Sequence, residues 1–449
     1  MAKKKNISKS KRRFVSSDTK KKLFKHIMFT MMILLLYRIG SVVPVPGIDM
    51  TVMKAIFNGS SVFAIQNMIG GGSMERMSLF ALGVSPYITA SIIVELLSMD
   101  VIPALSEWRK SGPKGRNKLS TVTRYLGLAL AVVQAVSIVY GFDKNYGIMT
   151  DTSVAGHLFV IMALVAGTEI LCWLGDQITE KGIGNGLSMI IFAGIVSGLP
   201  NQFTEAFSTL TSNASTAFIG GVRFALYCIV YLVLILAVAI VENSERRIPI
   251  SYSGRTNVMG GNQMSYLPLK INSASVIPVI FASSVLTAPL IILSFFNASA
   301  YEKLSAVLSM QKPLGLTIYA VLTFLFTFFY TDLQVDPDEI ADNLKTSNAF
   351  IPGIRPGSDT YEYLHKVLTR ITVFGATGLT LLAVVPYLLP MLIKSMPSSL
   401  GLGGTSVILI VGISLETIKM MKTSAMSEKY KYSSFMGQTV DDWYKATVA

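Results

Sequence analysis

The chain has 449 residues, 51% of them hydrophobic and only 14% charged, with a mean hydropathy of +0.53. Soluble domains carry roughly a quarter charged residues, so this balance excludes a soluble enzyme or binding module and specifies a polytopic membrane protein. The formal net charge is +13, and 10 of the 39 lysines and arginines fall within the first 22 residues. Beside a hydrophobic span, such an arm marks a cytoplasmic end facing anionic lipid rather than a nucleic-acid site.

A span needs about 20 apolar residues at 1.5 Å rise each. Ten are expected, at 23–42, 78–98, 120–141, 154–174, 184–200, 218–241, 272–296, 314–331, 370–390 and 403–422. The first is followed by Val43-Pro44-Val45-Pro46, which has no small-residue cleavage pattern, so no cleavable signal peptide is expected. Between the first two spans, Ser61 to Ile69 is apolar but too short to cross. It leads into Gly70-Gly71-Gly72-Ser73, the charges Glu75 and Arg76, and the long apolar run Ser78 to Ser98. Two readings fit this stretch. One is a re-entrant segment on a glycine hinge, permissible only where protein or water surrounds its backbone. The other is a polar external loop before an ordinary span.

The distribution of positive charge orients the chain. With the N-terminus inside, the cytoplasmic segments are the arm, 99–119, 175–183, 242–271, 332–369 and the tail, and they hold about 30 of the 39 basic residues. The external segments hold about six, namely Lys54, Arg76, Lys144, Lys303, Lys312 and Lys394. Ten spans divide after the fifth, and because five is odd the halves enter the membrane with opposite orientation. The expected fold is all-α, with two inverted five-helix halves over 23–200 and 218–422 joined by an external loop at 201–217. A basic arm (1–22) and a mixed-charge tail (423–449) flank them. The loops 242–271 and 332–369 are longer than a connection needs, which marks them as functional. Asn348 to Gly357 reads as a shaped docking tip with Phe350 and Ile351 exposed.

Signals for chemistry are weak. The three histidines, His26, His157 and His365, lie at metal-ligand spacing neither from one another nor from Cys172 and Cys228. No metal site, cofactor or disulfide framework is expected, and no histidine sits at mid-membrane to serve a protease. Gly182-Ile183-Gly184-Asn185-Gly186 lacks the preceding strand of a dinucleotide fingerprint and reads as a tight turn opening a closely packed helix. Arg38, Arg124, Glu169, Arg223 and Glu416 fall near span ends, where long side chains snorkel. No mid-span carboxylate offers a coupling-ion site, which disfavours the alternative of a secondary transporter. What remains is aliphatic: Val84 and Ile88, then Leu187 and Ile191, each pair four apart and so on one helical face.

Tyr37 to Asp49, Phe80 to Leu97, Trp173 to Pro200, Leu267 to Ser284 and Ala341 to Gly357 together resemble the bacterial SecY family, the channel subunits of the general protein-translocation machinery. The similarity runs from about Leu23 to Met421. The resemblance implies two clamshell halves hinged between the fifth and sixth spans, with a waist of aliphatic side chains at Val84, Ile88, Leu187, Ile191, Ile280 and Leu409. It implies that the broken segment is a re-entrant plug, about Ala64 to Met77, including Asn67, Gly70, Gly71, Gly72 and Arg76. A lateral gate would open between the second and third spans on one side and the seventh and eighth on the other, with polar positions at Thr89, Gln134 and Asn272.

The long loops would dock a ribosome or the SecA ATPase through Arg246, Arg247, Arg255 and Arg355, although Gly254 to Gly261 carries only Arg255 where the family has several basic residues. Further implied partners are SecE-like and SecG-like subunits, signal peptides, unfolded secretory chains and anionic lipids. The implied location is the bacterial plasma membrane, with both termini cytoplasmic, and the implied activity is passive conduction with no enzymatic chemistry.

Overall fold

Each of the ten expected spans contains a helix, and the boundaries follow local chain chemistry. The structure, a computed structural model, describes residues 2–53, 67, 70–98, 102–212, 217–252, 265–296, 303–305, 307–392 and 406–424. The first half comprises α1 (Ala2–Gly40), α2 (Ser85–Leu97), the short α3 (Pro103–Lys110), α4 (Pro113–Tyr146), α5 (Val154–Lys181) and α6 (Gly186–Ser212). The second comprises α7 (Ala217–Asn243), β1 (Glu245–Tyr252), β2 (Ser265–Lys270), α8 (Ile277–Phe296), α9 (Pro313–Gln334), α10 (Pro337–Thr346), β3 (Ala349–Phe350), α11 (Ser358–Leu392) and a last helix, α12, over 406–424. Proline stands in the first turn of α2, α3, α4, α9 and α10, where its missing N–H has no intrahelical partner to lose. Among the described residues, seven helices are long and apolar enough to cross a membrane by themselves, and α2 and the first turns of α8 are shorter apolar helices.

The two halves repeat one packing scheme. In the first, α2 packs on α4, α4 on α5, and α1 on α5; in the second, α8 packs on α9, α9 on α11, and α7 on α11. Counted as spans, these are the second with the third, the third with the fourth and the first with the fourth of each half. Opposite entry with equivalent neighbours is the inverted repeat expected from the odd count. The halves meet where α6 lies against α7 and where α8 lies against α2 and α4.

Three boundaries differ from those read in the sequence. The run 78–98 is not helical throughout: residues 70–84 form turns, and only Ser85–Leu97 is helix. Met77 and Gly83 take positive φ (40° and 60°), which breaks the helical hydrogen-bond ladder that hydropathy alone cannot see. The expected loop at 201–217 is helical to Ser212, α6 continuing through Pro200, so only 213–216 separates it from α7 and lies outside the described residues. The loop 332–369 is also largely structured, holding α10, β3 and the first turns of α11.

Two of the apolar cores position the site. One joins both halves through α1, α2, α5, α6, α7, α8, α9, α11 and α12. The other lies at the end expected to be external, around Met53, Met74, Met77, Phe142, Ile148 and Leu164. The segment after α1 stitches it together: Val45 N–H donates to Met77 O (3.0 Å), Leu79 N–H to Val43 O (3.1 Å) and Asp49 N–H to Ile148 O (2.8 Å). The Thr51 hydroxyl and N–H bonds to Asp49 hold its carboxyl below the usual carboxylate range.

At the opposite end the strands form one antiparallel sheet in the order β2-β1-β3, with Ile248 opposite Leu267 and Ser251 opposite Phe350. The glycine turn at 182–186 opens α6 as its structural reading predicted. Gly186 packs so tightly on the Gly175 carbonyl that a Cβ has no room.

Candidate functional site

The six aliphatic positions come from four elements and belong to one large apolar core. Val84 caps α2, and Ile88 N–H donates to its carbonyl over 3.0 Å. Leu187 and Ile191 lie a turn apart on α6, whose start is fixed by Asn185 Oδ1 accepting from Leu187 N–H at 3.1 Å. Ile280 lies in the first turn of α8 and Leu409 in that of α12. Val84, Ile191 and Leu409 are buried, while Ile88, Leu187 and Ile280 are half-buried against the same core. None of the six offers a polar atom, so a constriction built from them would have nothing to replace an ion's hydration shell and no hydrogen bond to hold a passing backbone.

Where α8 meets α2 and α4, a second apolar group forms from Ile92, Ala274, Phe281 and Tyr330, with Phe281 edge-on to Tyr330 at 5.8 Å and to Phe326 at 6.1 Å. Ile88 and Ile280 belong to both groups.

The three expected gate positions lie on separate elements. The Thr89 hydroxyl donates to the Ser85 carbonyl of its own helix (3.1 Å), and Gln134 is half-buried on α4. Asn272, 1% exposed, turns to its own half: its amide donates to Glu242 Oε1 (2.7 Å) and to the Ser275 carbonyl (3.0 Å). The reason is local. Residues 272–276 are turn rather than helix, with Ser275 at φ 53°, so Asn272 sits beside the end of α7 instead of on a helical face toward α2.

Of the expected plug, 64–66, 68 and 69 lie outside the described residues. Asn67 Oδ1 accepts from Glu75 N–H (3.0 Å), its amide donates to Glu75 Oε2 (3.3 Å), and its carbonyl accepts from Gly72 N–H (2.8 Å). Gly70 is buried, Gly71 and Gly72 have φ of 66° and 82°, and Arg76 is half-buried. Met74 and Met77 are fully buried in the second core, so the end of the segment is anchored. The Tyr37 hydroxyl donates to Gly70 O at 3.2 Å. Arg38 Nη1 donates to Gly71 O (3.0 Å) and Ser197 Oγ (3.1 Å), so it does not snorkel away as expected.

The docking tip is also corrected. Ile351 is 3% exposed and packs with Ile248, Leu269, Leu364 and Leu368, while Phe350 is half-buried in β3. Pairing of β3 with β1 places Ile351 against α11 instead of in water. Arg246 and Arg247 on β1 and Arg355 after β3 remain exposed, and Arg247 pairs with Glu245 at 2.8 Å. Arg255 lies outside the described residues.

The sequence reading missed Glu242 as the partner of Asn272 and Tyr37-Arg38 as partners of the glycine turn. The adjacency of a phenol and a guanidinium near the end of an apolar span was the available signal for the second.

The SecY family profile matches residues 78–418 of the chain. The protein translocase subunit SecY of Bacillus licheniformis is 40% identical over 412 residues, covering 90% of this chain and 95% of that relative. Two solved structures share the fold at 20% identity, each covering 90% of this chain and 93% of its own. One, at TM-score 0.66, is a SecY protein whose plug domain stabilises the closed state of the translocation channel and maintains a membrane seal. The other, at TM-score 0.64, is Sec61 in the canine ribosome–channel complex from the endoplasmic reticulum.

Proposed function

The chain belongs to the SecY family, and we propose that it conducts unfolded polypeptide through the aliphatic waist between its halves, using energy supplied by partners. The observation that supports this is that Val84, Ile88, Leu187, Ile191, Ile280 and Leu409, from four separate elements, all belong to the apolar core that joins the two halves. A secondary transporter is not favoured, since the matching family profile and relatives are protein translocase subunits SecY.

Lateral release of membrane segments is the further part of the reading, between α2 and α4 on one side and α8 and α9 on the other. Sharing Ile88 and Ile280 between waist and seam supports it, since a helix inserted at the seam would loosen the waist as well. Asn67, the glycines 70–72 and Arg76 would belong to the plug that seals the external funnel. Arg246, Arg247 and Arg355, on one sheet-centred knob, would present positive charge to a ribosome or a SecA-like motor, and SecE-like and SecG-like subunits would complete the complex in the bacterial plasma membrane. The termini would lie in the cytoplasm, where the basic arm meets anionic lipid.

A photo-crosslinker at Ile191 or Ile280, presented with a stalled secretory chain, tests the reading. Crosslinks at both positions are expected. Crosslinks elsewhere in the protein with none at the waist would overturn it.

A further inference from the structure

A guanidinium near the end of a membrane span has water within reach, yet Arg38 turns inward. Its Nη1 lies 3.0 Å from the Gly71 carbonyl, 3.1 Å from Ser197 Oγ on α6 and 3.4 Å from Ser41 Oγ. Ser197 in turn donates to Gly194 O (2.7 Å), and Tyr37 beside Arg38 donates to Gly70 O (3.2 Å). The glycine turn is thus held from α1 and pressed on α6. A Cβ on Gly71 would stand 2.7 Å from Ser197 Oγ and 2.9 Å from the Gly194 carbonyl, closer than real Cβ atoms approach, so only glycine seats there. Immediately after the turn, the chain is fixed by buried Met74 and Met77.

We propose that Arg38, assisted by Tyr37, is the latch that sets how firmly the 70–72 turn is seated against α6, and hence the fraction of time the closed channel leaks. Arg38 is a positioning residue: it touches neither ion nor polypeptide and acts through the two glycine carbonyls. The latch is releasable because its bonds go to neutral carbonyl and hydroxyl oxygens, which any other hydrogen-bonding partner can replace. A carboxylate partner at this depth would hold far harder. The proposal rests on reading this segment as the plug.

The test is single-channel and bulk ion conductance of the complete translocase complex in planar bilayers, without substrate. Arg38→Gln should raise resting leak about tenfold, the order expected from losing a charge-assisted hydrogen bond. Arg38→Lys, a point charge without the planar fork, should leak less than Arg38→Gln. Ser197→Ala, which removes one acceptor and no charge, should raise leak by a smaller factor and carries the test if Arg38→Gln does not assemble. Deleting 64–72 should leak most, and adding Arg38→Gln to the deletion should change nothing further, since a latch needs something to hold.

Unchanged leak in Arg38→Gln, or in Ser197→Ala if that variant stands in, beside a leaky deletion would overturn the latch and leave the plug reading intact. A tight deletion would overturn the plug reading itself. Extra leak from Arg38→Gln in the deletion background would place Arg38's effect elsewhere and overturn the proposal.

Discussion

The side-chain amide of Asn272 lies 2.7 Å from the Glu242 carboxylate, and both groups are buried. This bond ties the turn ahead of α8 to the end of α7, and Lys419 of α12 reaches the Glu242 carbonyl at 3.5 Å. Three spans of the second half therefore share one polar knot beside the seam. Replacing Asn272 with leucine leaves a buried carboxylate without its donor, a loss of about 2 kcal/mol. The expected outcome is a lower Tm for the purified complex and easier parting of the seam, read as stronger crosslinking of a signal peptide between α2 and α8. An unchanged Tm would show that the knot holds nothing.

His157 stands at the opposite end of the first half. Its Nε2 lies 2.9 Å from Asp143 Oδ2 and its Nδ1 lies 3.0 Å from the Ser153 carbonyl, while Tyr140 stacks on the ring at 4.7 Å. Both facing atoms are acceptors, and only the doubly protonated imidazolium satisfies both. His157→Phe keeps the stacking but leaves Asp143 Oδ2 without its donor, the other oxygen keeping the Met149 N–H (3.2 Å), so a loss of about 1–3 kcal/mol is expected from thermal melting. His157→Phe with Asp143→Asn should recover much of it. No recovery would mean the two side chains are not coupled.

At the waist, hydrocarbon thickness is the variable. Each buried CH₂ removed weakens exclusion of water by about 0.8 kcal/mol. Ile191→Gly and Leu409→Gly should each raise resting conductance, and the pair together should raise it more. Ile191→Leu should be silent. A silent double glycine variant would remove the waist from the seal.

The knob separates stability from recognition. Ile351→Asp puts an unpaired charge into the cluster formed with Ile248 and Leu368, at about 3–5 kcal/mol, and should expose the sheet to proteolysis. Arg355→Glu sits in solvent and should leave proteolysis unchanged while weakening motor or ribosome binding, measured by flotation of vesicles with the bound partner. Equal protease sensitivity in both variants would refute the division.

Spans were legible because a bilayer demands long apolar runs and a loop does not. Backbone conformation within such a run was not: Ser78 to Val84 is as greasy as the helix it precedes, and only Met77 and Gly83 record the break. The waist positions came from family likeness, since pairs four apart occur on any packed helix. The sheet left one usable trace, the alternation of Ile248 and Ile250 on the buried face of β1 between exposed neighbours. Burial of Ile351 had none, because a neighbouring strand from a hundred residues earlier decides it.

Because β1 follows directly from α7 and α11 begins a few residues after β3, the knob is spliced into two membrane helices without slack. A ribosome or motor bound there, as proposed, would hold a handle rather than a tether, since force on the sheet reaches α7 and α11 through only a few residues.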